Sequence, residues 1–212
     1  MSLLVRGAHQ VATPTGNTAR RGPGLATLTV CSDSVVRCEN GRITFVGDAR
    51  EDLRRFGEPD EILEADGGCV LPGFVDPHTH PVWAGSREYE FDRRLRGETY
   101  MDIARSGGGI NSTVRATRAA SSEDLLTATL DRLDRFLTHG TTTIEAKSGY
   151  GLDLETELRM LEVIRDADGI HPIDLHPTCL AAHEIPPEYR DDPEAWVQRL
   201  VREIHPTIAR AG

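Results

Sequence analysis

The chain has 212 residues, of which 38% are hydrophobic and 27% are charged, a composition typical of a globular protein with one or two domains. Its formal net charge is −10 and Lys147 is its only lysine, which argues against a nucleic acid or an anionic membrane as a partner. No apolar run approaches the roughly 20 residues of a membrane span, and the apolar start at residues 1–6 is too short for a signal peptide. We therefore expect a cytoplasmic protein.

Short β-prone runs fill the first third of the chain. They lie at residues 28–30, 34–38, 43–46 and 61–71. Asn40-Gly41 is a hairpin turn signal, because both residues tolerate the positive φ of a type I′ turn. A short helix is predicted over residues 49–56. Together these elements predict that residues 1–70 form part of a small β-sandwich domain without chemistry of its own.

Two histidines follow the next apolar run. His78 and His80 are separated by one residue, and side chains two residues apart in a strand project from the same face. Pro77 and Pro81 bracket the pair, and a proline, which has no N–H, suits the end of a strand better than its centre. Two imidazoles directed at one point supply half of the ligands of a zinc or iron site, so we predict a metal site here. Asp76 is placed to hold one of the histidines or, equally, to form a turn.

Strands and helices alternate in the rest of the chain. Leucine spacing and β-branched runs predict helices over residues 98–105, from Ser121 to Gly140, from Leu154 to Gly169 and over residues 194–204, and strands over residues 141–146 and 173–181. This alternation indicates parallel βαβ units and an α/β fold. Only about three of the eight units of a closed (β/α)8 barrel are present.

Several motifs resemble those of one enzyme family. Gly73-Phe-Val-Asp-Pro-His-Thr-His80 is similar to the first-strand motif of the amidohydrolase superfamily of metal-dependent hydrolases. Four further segments resemble the imidazolonepropionase family within it, namely Pro81-Val-Trp-Ala-Gly-Ser-Arg87, Ser106-Gly-Gly-Gly-Ile110, Gly140-Thr-Thr-Thr and Lys147-Ser-Gly-Tyr-Gly-Leu152. The resemblance implies a (β/α)8 TIM barrel preceded by the small β-domain. Residues 71–212 would be the first part of this barrel, truncated, and this chain would be the N-terminal half.

The resemblance also implies a cofactor and a substrate. The cofactor is one metal, zinc or iron, held by His78, His80 and two ligands on later strands that this sequence does not contain. The substrate is a small molecule, 4-imidazolone-5-propanoate, hydrolysed at its cyclic amide C–N bond to N-formimidoyl-L-glutamate in histidine degradation. No catalytic base can be assigned in this chain, so activity is expected only with the missing half. A homodimer is compatible with the resemblance, and no nucleic acid or membrane partner is expected.

Four residues are candidates for substrate binding. The planar guanidinium of Arg87 can hold a carboxylate through two hydrogen bonds, and the motif match singles it out among neighbouring arginines. Tyr150 and His183 each follow a predicted strand, which places them on the active face of a barrel. Tyr100 is the fourth candidate. Lys147 also lies at a strand end, but the resembled family uses one metal, so we do not expect it to bridge two.

Two alternatives remain open. The chain could belong to another amidohydrolase, such as a deaminase or a different cyclic-amide hydrolase, although the contexts of Arg87, Tyr150 and His183 argue against it. It could also be an inactive, non-catalytic fragment that keeps only part of the fold.

Overall fold

Strands dominate the first third of the chain, and parallel strands alternate with helices in the remainder. The computed structural model describes residues 1–14, 16 and 18–211. Residue contacts divide the chain into two units, Met1–Pro72 and Gly73–Gly212. No helix within the described ranges is long and apolar enough to cross a membrane.

The first unit contains two small sheets and one helix. Its elements are β1 (Ser2–Arg6), β2 (Gln10–Thr13), β3 (Thr29–Ser32), β4 (Val35–Glu39), β5 (Arg42–Gly47), α1 (Ala49–Phe56), β6 (Glu61–Glu64) and β7 (Cys69–Val70). One sheet has the strand order β5-β4-β1-β6 and the other has the order β3-β2-β7. Ala8, Val11 and Val36 form a small buried cluster. The sequence therefore predicted the β content correctly, although β1 and β2 were not singled out by their patterns.

Local chemistry sets the hairpin and the helix of this unit. Asn40 and Gly41, between β4 and β5, have φ angles of 51° and 76°, as the predicted type I′ turn requires. The helix α1 covers the predicted residues and begins after Asp48, whose carboxylate accepts hydrogen bonds from the N–H groups of Arg50 and Glu51. Both elements form where short-range sequence signals place them.

A buried ion pair joins β4 to α1. Arg37 is 0% exposed and Asp52 is 1% exposed, and Nη2 of Arg37 lies 3.1 Å from Oδ2 of Asp52. The same guanidinium donates a hydrogen bond to the carbonyl of Gly57 and lies over the ring of Phe56. These partners replace the water that both charges lose on burial.

The second unit is a parallel sheet covered by helices. Its elements are β8 (Phe74–Thr79), α2 (Glu88–Leu95), α3 (Tyr100–Arg105), α4 (Ile110–Ala119), α5 (Ser122–Thr138), β9 (Thr141–Lys147), α6 (Leu154–Asp168), β10 (Asp174–Thr178), α7 (Pro193–Arg199) and α8 (His205–Ala211). The sheet has the order β10-β9-β8, and both strand pairs are parallel. The α/β fold and the parallel βαβ units predicted from the sequence are confirmed.

Alternation along β9 divides the second unit into a core side and a polar side. Ile144 and Ala146 are fully buried against the two longest helices, α5 and α6. The buried residues that these helices supply include Leu125, Leu133, Met160, Val163 and Ile164. Glu145 and Lys147 project from the opposite face, as the two-residue period of a strand requires. The core therefore lies on one face of the sheet, which leaves the other face for polar side chains.

One predicted helix differs from the structure in detail, and another helix was missed. The buried residues of α5 are Leu125, Thr129 and Leu133. Leu137, the last of the leucines whose spacing predicted this helix, is exposed. α4 was not predicted, because its buried residues are Thr113, Val114 and Thr117 and two threonines do not produce a hydrophobic period.

The C-terminal elements also differ from the prediction. The predicted strand over residues 173–181 is shortened to β10, because the chain turns away after Thr178. The predicted helix over residues 194–204 begins one residue earlier and continues to Ala211 through a π-helical segment, Leu200–Ile204. Pro206 explains this segment. A proline ring clashes with the carbonyl of the preceding turn of a regular helix, and the wider π turn relieves that clash.

The ion pair of the first unit gives a stability prediction. We expect Asp52→Ala to lower the free energy of unfolding by about 3–5 kcal/mol, because the guanidinium of Arg37 then stays buried without its counter-charge. Urea denaturation followed by circular dichroism measures the change. Glu51→Ala, at the exposed neighbouring position in the same helix, is the control and should cost less than about 1 kcal/mol. Equal losses in the two variants would contradict the prediction.

Candidate active site

Three candidate residues follow three adjacent parallel strands. His80 comes directly after β8, Tyr150 follows β9 and His183 follows β10. Since the strands are parallel, their carboxyl ends lie at the same edge of the sheet. In α/β folds with parallel strands this edge is where ligands and catalytic groups are found.

The rings of these three residues are packed together. The rings of His80 and His183 stack with centroids 4.8 Å apart and planes inclined by 15°. The ring of Tyr150 lies 5.0 Å from His80 and 5.5 Å from His183, measured between centroids. Aromatic packing therefore fixes the orientation of the His80 imidazole.

His78 lies beside this cluster but in a different environment. Its ring centroid is 5.9 Å from that of His80, and its side chain is exposed. Nδ1 of His80 is buried and has no hydrogen-bond partner among the described residues. The described part of the chain contains no group of three or more His, Cys, Asp or Glu side chains arranged to hold a metal ion. The chain therefore brings together two imidazoles, not a complete set of ligands.

Burial keeps His80 uncharged at neutral pH. Its pKa is lowered to about 4, mainly because burial disfavours the protonated ring and also because of the nearby His183. A hydrogen bond with the backbone of Ser148 raises the pKa of His80. The nearby charges of His78 and Lys147 lower it further. Neutral imidazole is the form that binds a metal ion.

Charged side chains close to the histidines are already bonded. Oδ1 of Asp76 accepts a hydrogen bond from the backbone N–H of His78 at 3.1 Å, which favours the turn-forming role of the two that the sequence left open. Nζ of Lys147 lies 2.6 Å from Oε1 of Glu145, and the same oxygen accepts a hydrogen bond from the hydroxyl of Thr178 at 2.7 Å. The charge of Lys147 is thus paired with that of Glu145 within the sheet.

Arg87 is held by a buried carboxylate. Its Nε and Nη2 donate hydrogen bonds to Oε2 of Glu90 at 3.0 and 2.7 Å. The other oxygen of Glu90 accepts a hydrogen bond from the backbone N–H of Gly109 at 2.7 Å, and Glu90 is 3% exposed. Gly108 lies close to the same group, because a Cβ on it would be 2.9 Å from Oε1 of Glu90. Glu90 therefore links the guanidinium of Arg87 to the glycine triplet at residues 107–109.

A cleft connects Arg87 to the aromatic cluster. Its volume is about 290 Å³, and it is lined by Trp83, Ser86, Arg87, Thr113 and Tyr150. Burial raises the pKa of the Tyr150 hydroxyl, so this group is a neutral hydrogen-bond donor at physiological pH. The cleft thus offers a cation, a hydroxyl and an indole within one small volume.

Tyr100 lies at the border of this region. It is the first residue of α3, it is 57% exposed, and it is not among the residues that line the cleft. Its hydroxyl lies 3.6 Å from the position that a Cβ on Gly109 would occupy. The structure therefore brings Tyr100 next to the glycine triplet and not next to the three packed rings.

Two residues near the site escaped the sequence analysis. Trp83 lines the cleft, and the guanidinium of Arg132 lies 3.7 Å from the centre of its ring. Glu90 is one of seven charged residues between Ser86 and Gly97, and a run of charges is usually a solvent-exposed surface. Nothing in the local pattern distinguishes either residue, because both roles depend on contacts with distant parts of the chain.

Curated proteins are similar to this sequence over almost its whole length. The imidazolonepropionase of Geobacillus kaustophilus strain HTA426 is 45% identical over 99% of this chain and 51% of its own length. That of Myxococcus xanthus strain DK1622 is 48% identical over 100% of this chain and 50% of its own length. The sequence is thus similar to that of imidazolonepropionases along almost the entire chain. It spans about half the length of the curated relatives it matches, and no family model matches it.

Solved structures of two enzymes are similar in fold to this chain. Guanine deaminase from E. coli superposes with a TM-score of 0.54 at 17% identity, over 78% of this chain and 34% of that one. A mutant of atrazine chlorohydrolase from Arthrobacter aurescens TC1, complexed with zinc and atraton, gives 0.51 at 15% identity, over 83% of this chain and 35% of that one. At these identities the comparison supports the α/β fold and not a particular substrate.

The contacts of Glu90 give a prediction on pH. Its pKa lies below the ordinary value of 4.5, first because of the hydrogen bonds from Arg87 and then because of Gly109, while burial opposes the shift. A lowered pKa in the folded state means that the ionised group stabilises the fold above about pH 4.5 and that this contribution is lost as the pH falls through the lowered pKa. Glu90→Gln should therefore lower the free energy of unfolding by about 1–3 kcal/mol at pH 7.

The difference from the wild type should shrink as the pH falls below 4.5. Urea denaturation at a series of pH values measures it. Glu88→Gln, an exposed position in the same helix, is the control and should show no such trend. A difference that stays constant down to about pH 3 would contradict the role of ionised Glu90.

Proposed function

We propose that this chain is part of an imidazolonepropionase that hydrolyses the cyclic amide C–N bond of 4-imidazolone-5-propanoate to N-formimidoyl-L-glutamate in histidine degradation. The observation that carries the proposal is the clustering of His80, Tyr150 and His183 at the carboxyl edge of a parallel sheet. The identity of 45–48% to curated imidazolonepropionases supports it. Chemistry at that edge is the rule for α/β barrels.

The proposal includes the architecture of the longer enzyme. Residues 71–212 would supply the first βα units of a (β/α)8 barrel, and the remaining strands would pair with β8 and β10, the edge strands of the three-stranded sheet. Residues 1–70 would belong to a small β-sandwich. Its support is that Val11 in one sheet and Val36 in the other share a buried cluster.

We infer a metal centre at His78 and His80. The two imidazoles are adjacent, His80 is neutral, and its buried Nδ1 is unpaired among the described residues, all of which fit the nitrogen donors of a zinc or iron site. The remaining ligands would come from residues outside this chain. When bound, such an ion supplies Lewis acidity that polarises a scissile carbonyl and activates water.

Substrate recognition follows from the cleft. Arg87 would bind the propionate carboxylate through Nη1 and the second N–H of Nη2. Nη1 has no partner among the described residues, and Nε and one N–H of Nη2 are held by Glu90. Tyr150 and His183 would contact the ring of the substrate, and Tyr100 would border the pocket next to Gly109. A volume of about 290 Å³ suits a small ligand.

The function also fixes the kind of partner that we expect. The substrate is a small molecule, and neither nucleic acid nor membrane takes part. A cytoplasmic location and a homodimer belong to the same proposal. The catalytic acid and base would come from the part of the enzyme beyond this chain, so the chain alone should not turn over substrate.

The metal centre can be tested by replacing its ligands. In the chain combined with the other half of the Myxococcus xanthus relative, we expect His78→Ala and His80→Ala each to abolish metal retention together with imidazolone hydrolysis, because each removes one nitrogen ligand. Elemental analysis after gel filtration measures the metal. His205→Ala removes an exposed histidine and is the control. Full metal content and activity in His80→Ala would rule out the ligand assignment.

The carboxylate contact can be tested at Arg87. We expect Arg87→Lys to lower kcat/KM about tenfold to a hundredfold in the same combined enzyme, because an ammonium cannot reproduce the two parallel hydrogen bonds of a guanidinium. Arg94→Lys, an exposed position in the same helix, is the control and should have the activity of the wild type. An unchanged kcat/KM in Arg87→Lys would remove Arg87 from the carboxylate.

A further inference from the structure

A second buried carboxylate lies behind the aromatic cluster. Glu157 of α6 is 0% exposed. Its Oε2 accepts a hydrogen bond from the backbone N–H of Gly149 at 3.0 Å, and its Oε1 accepts bonds from the N–H groups of Gly151 and Leu152, both at 2.8 Å. Among the described residues no cation forms an ion pair with Glu157. Three backbone donors therefore replace the hydration of this group.

These bonds hold a loop in an unusual conformation. The loop over residues 148–152 follows β9, and its residues Gly149 and Leu152 have φ angles of 111° and 52°. A leucine rarely adopts a positive φ unless other contacts stabilise it. Arg118 adds two such contacts, since its Nε and Nη2 donate to the carbonyls of Gly151 and Leu152 at 2.6 and 3.0 Å.

The start of α6 does not explain Glu157. The side chain of Asp153 already caps this helix by accepting a hydrogen bond from the N–H of Thr156 at 2.8 Å. Glu157 lies at the end of the first turn, and every hydrogen bond of its carboxylate goes to the preceding loop. Its carboxylate therefore serves the loop and not the helix terminus.

The loop carries Tyr150. This residue lies between two residues that Glu157 binds, Gly149 and Gly151, and its ring contacts those of His80 and His183. The carbonyl of Gly149 lies 3.1 Å from Nδ1 of His183, so the same loop also contacts the second histidine.

We propose that Glu157 is a positioning residue, which fixes Tyr150 against His80 by binding the backbone of residues 149–152. This positioning role rests on the proposed function, in which Tyr150 contacts the substrate, and adds a residue to it. Glu157 itself lies behind the loop and does not reach the cleft.

The direct test is Glu157→Gln in the same combined enzyme, with isotope labels in the residues of this chain only. In this variant an NH₂ group replaces one of the two carboxylate oxygens. An NH₂ group cannot accept a hydrogen bond, so at least one backbone N–H loses its partner. We expect loss of the nuclear Overhauser contacts between the rings of Tyr150 and His80. We also expect amide exchange at Gly149, Gly151 and Leu152 to rise on the order of tenfold to a hundredfold, with rates in β9 unchanged. Glu155→Gln, an exposed position in the same helix, is the control.

A second variant covers the case in which Glu157→Gln fails to fold. A Cβ on Gly151 would lie 2.9 Å from Oε1 of Glu157, so Gly151→Ala pushes the loop away while it keeps the carboxylate. It should cause the same loss of the Tyr150–His80 contact. Gly169→Ala at the end of α6 meets no atom closer than 3.5 Å and is its control. Survival of the ring contact in either variant would overturn the proposal, as would exchange that rises equally throughout the second unit.

Binding separates this proposal from the proposed function. The probe is imidazole-4-propionate, which carries a propionate on a five-membered ring, titrated into the combined enzyme and followed by Tyr150 chemical shifts. We expect Glu157→Gln to weaken binding about tenfold and to have no further effect in a Tyr150→Ala background. Equal affinity in Glu157→Gln and the wild type would overturn the positioning role for substrate. Absence of probe binding to the wild type would contradict the proposed substrate contact, and the ring contacts and exchange rates would still decide the role of Glu157.

Discussion

Parallel pairing of β8, β9 and β10 is the constraint on which the candidate site depends. It places the carboxyl ends of three strands at one edge, so residues that follow different strands become neighbours. The pleat adds a second division, because Ile144 and Ala146 enter the core while Glu145 and Lys147 face the other way. One strand thus contributes to the core and to the polar face at the same time. The site follows from this register more than from any single contact.

The sequence predicted those parts of the molecule that depend on neighbours along the chain. The spacing of His78 and His80 and the prolines around them predicted adjacent imidazoles at a strand end, and the rings are adjacent. Strand ends together with motif matches led to Tyr150 and His183, whose rings pack on His80. The assignment of these residues to metal and substrate remains a proposal. α4 was missed because threonines, and not leucines, form much of its buried face.

Buried carboxylates could not be predicted in the same way. Glu90 and Glu157 lie on helices among other acids, and a pattern that counts charge assigns all of them to solvent. What buries them is a supply of backbone N–H groups, from Gly109 for one and from residues 149–152 for the other. Those donors become available only when glycine-containing loops fold against the helices. The burial of these carboxylates therefore depends on tertiary contacts, whereas the hairpin turn at Asn40 depends on two adjacent residues.

The same physical arrangement occurs twice beside the candidate site. In each case a helix carboxylate binds N–H groups of a loop that contains glycines with positive φ, Gly109 in one loop and Gly149 in the other. An N–H buried without a partner is costly, and a carboxylate can satisfy several at once. Glu90 also holds Arg87, and the loop bound by Glu157 carries Tyr150. Arg87 and Tyr150, two of the five residues that line the cleft, are thus each backed by a hydrogen-bonded carboxylate.

The two histidines of the motif differ in how far the chain alone orients them. His80 is packed by Tyr150 and His183, so its ring is oriented before any ion binds. His78 is exposed, and among the described residues the only ring close to its own is that of His80, at 5.9 Å between centroids. A ligand that is already oriented loses less conformational entropy when a metal binds than one that is free to rotate. His80 would therefore be the preorganised ligand of the proposed centre, and His78 would gain its orientation from the ion and from residues outside this chain.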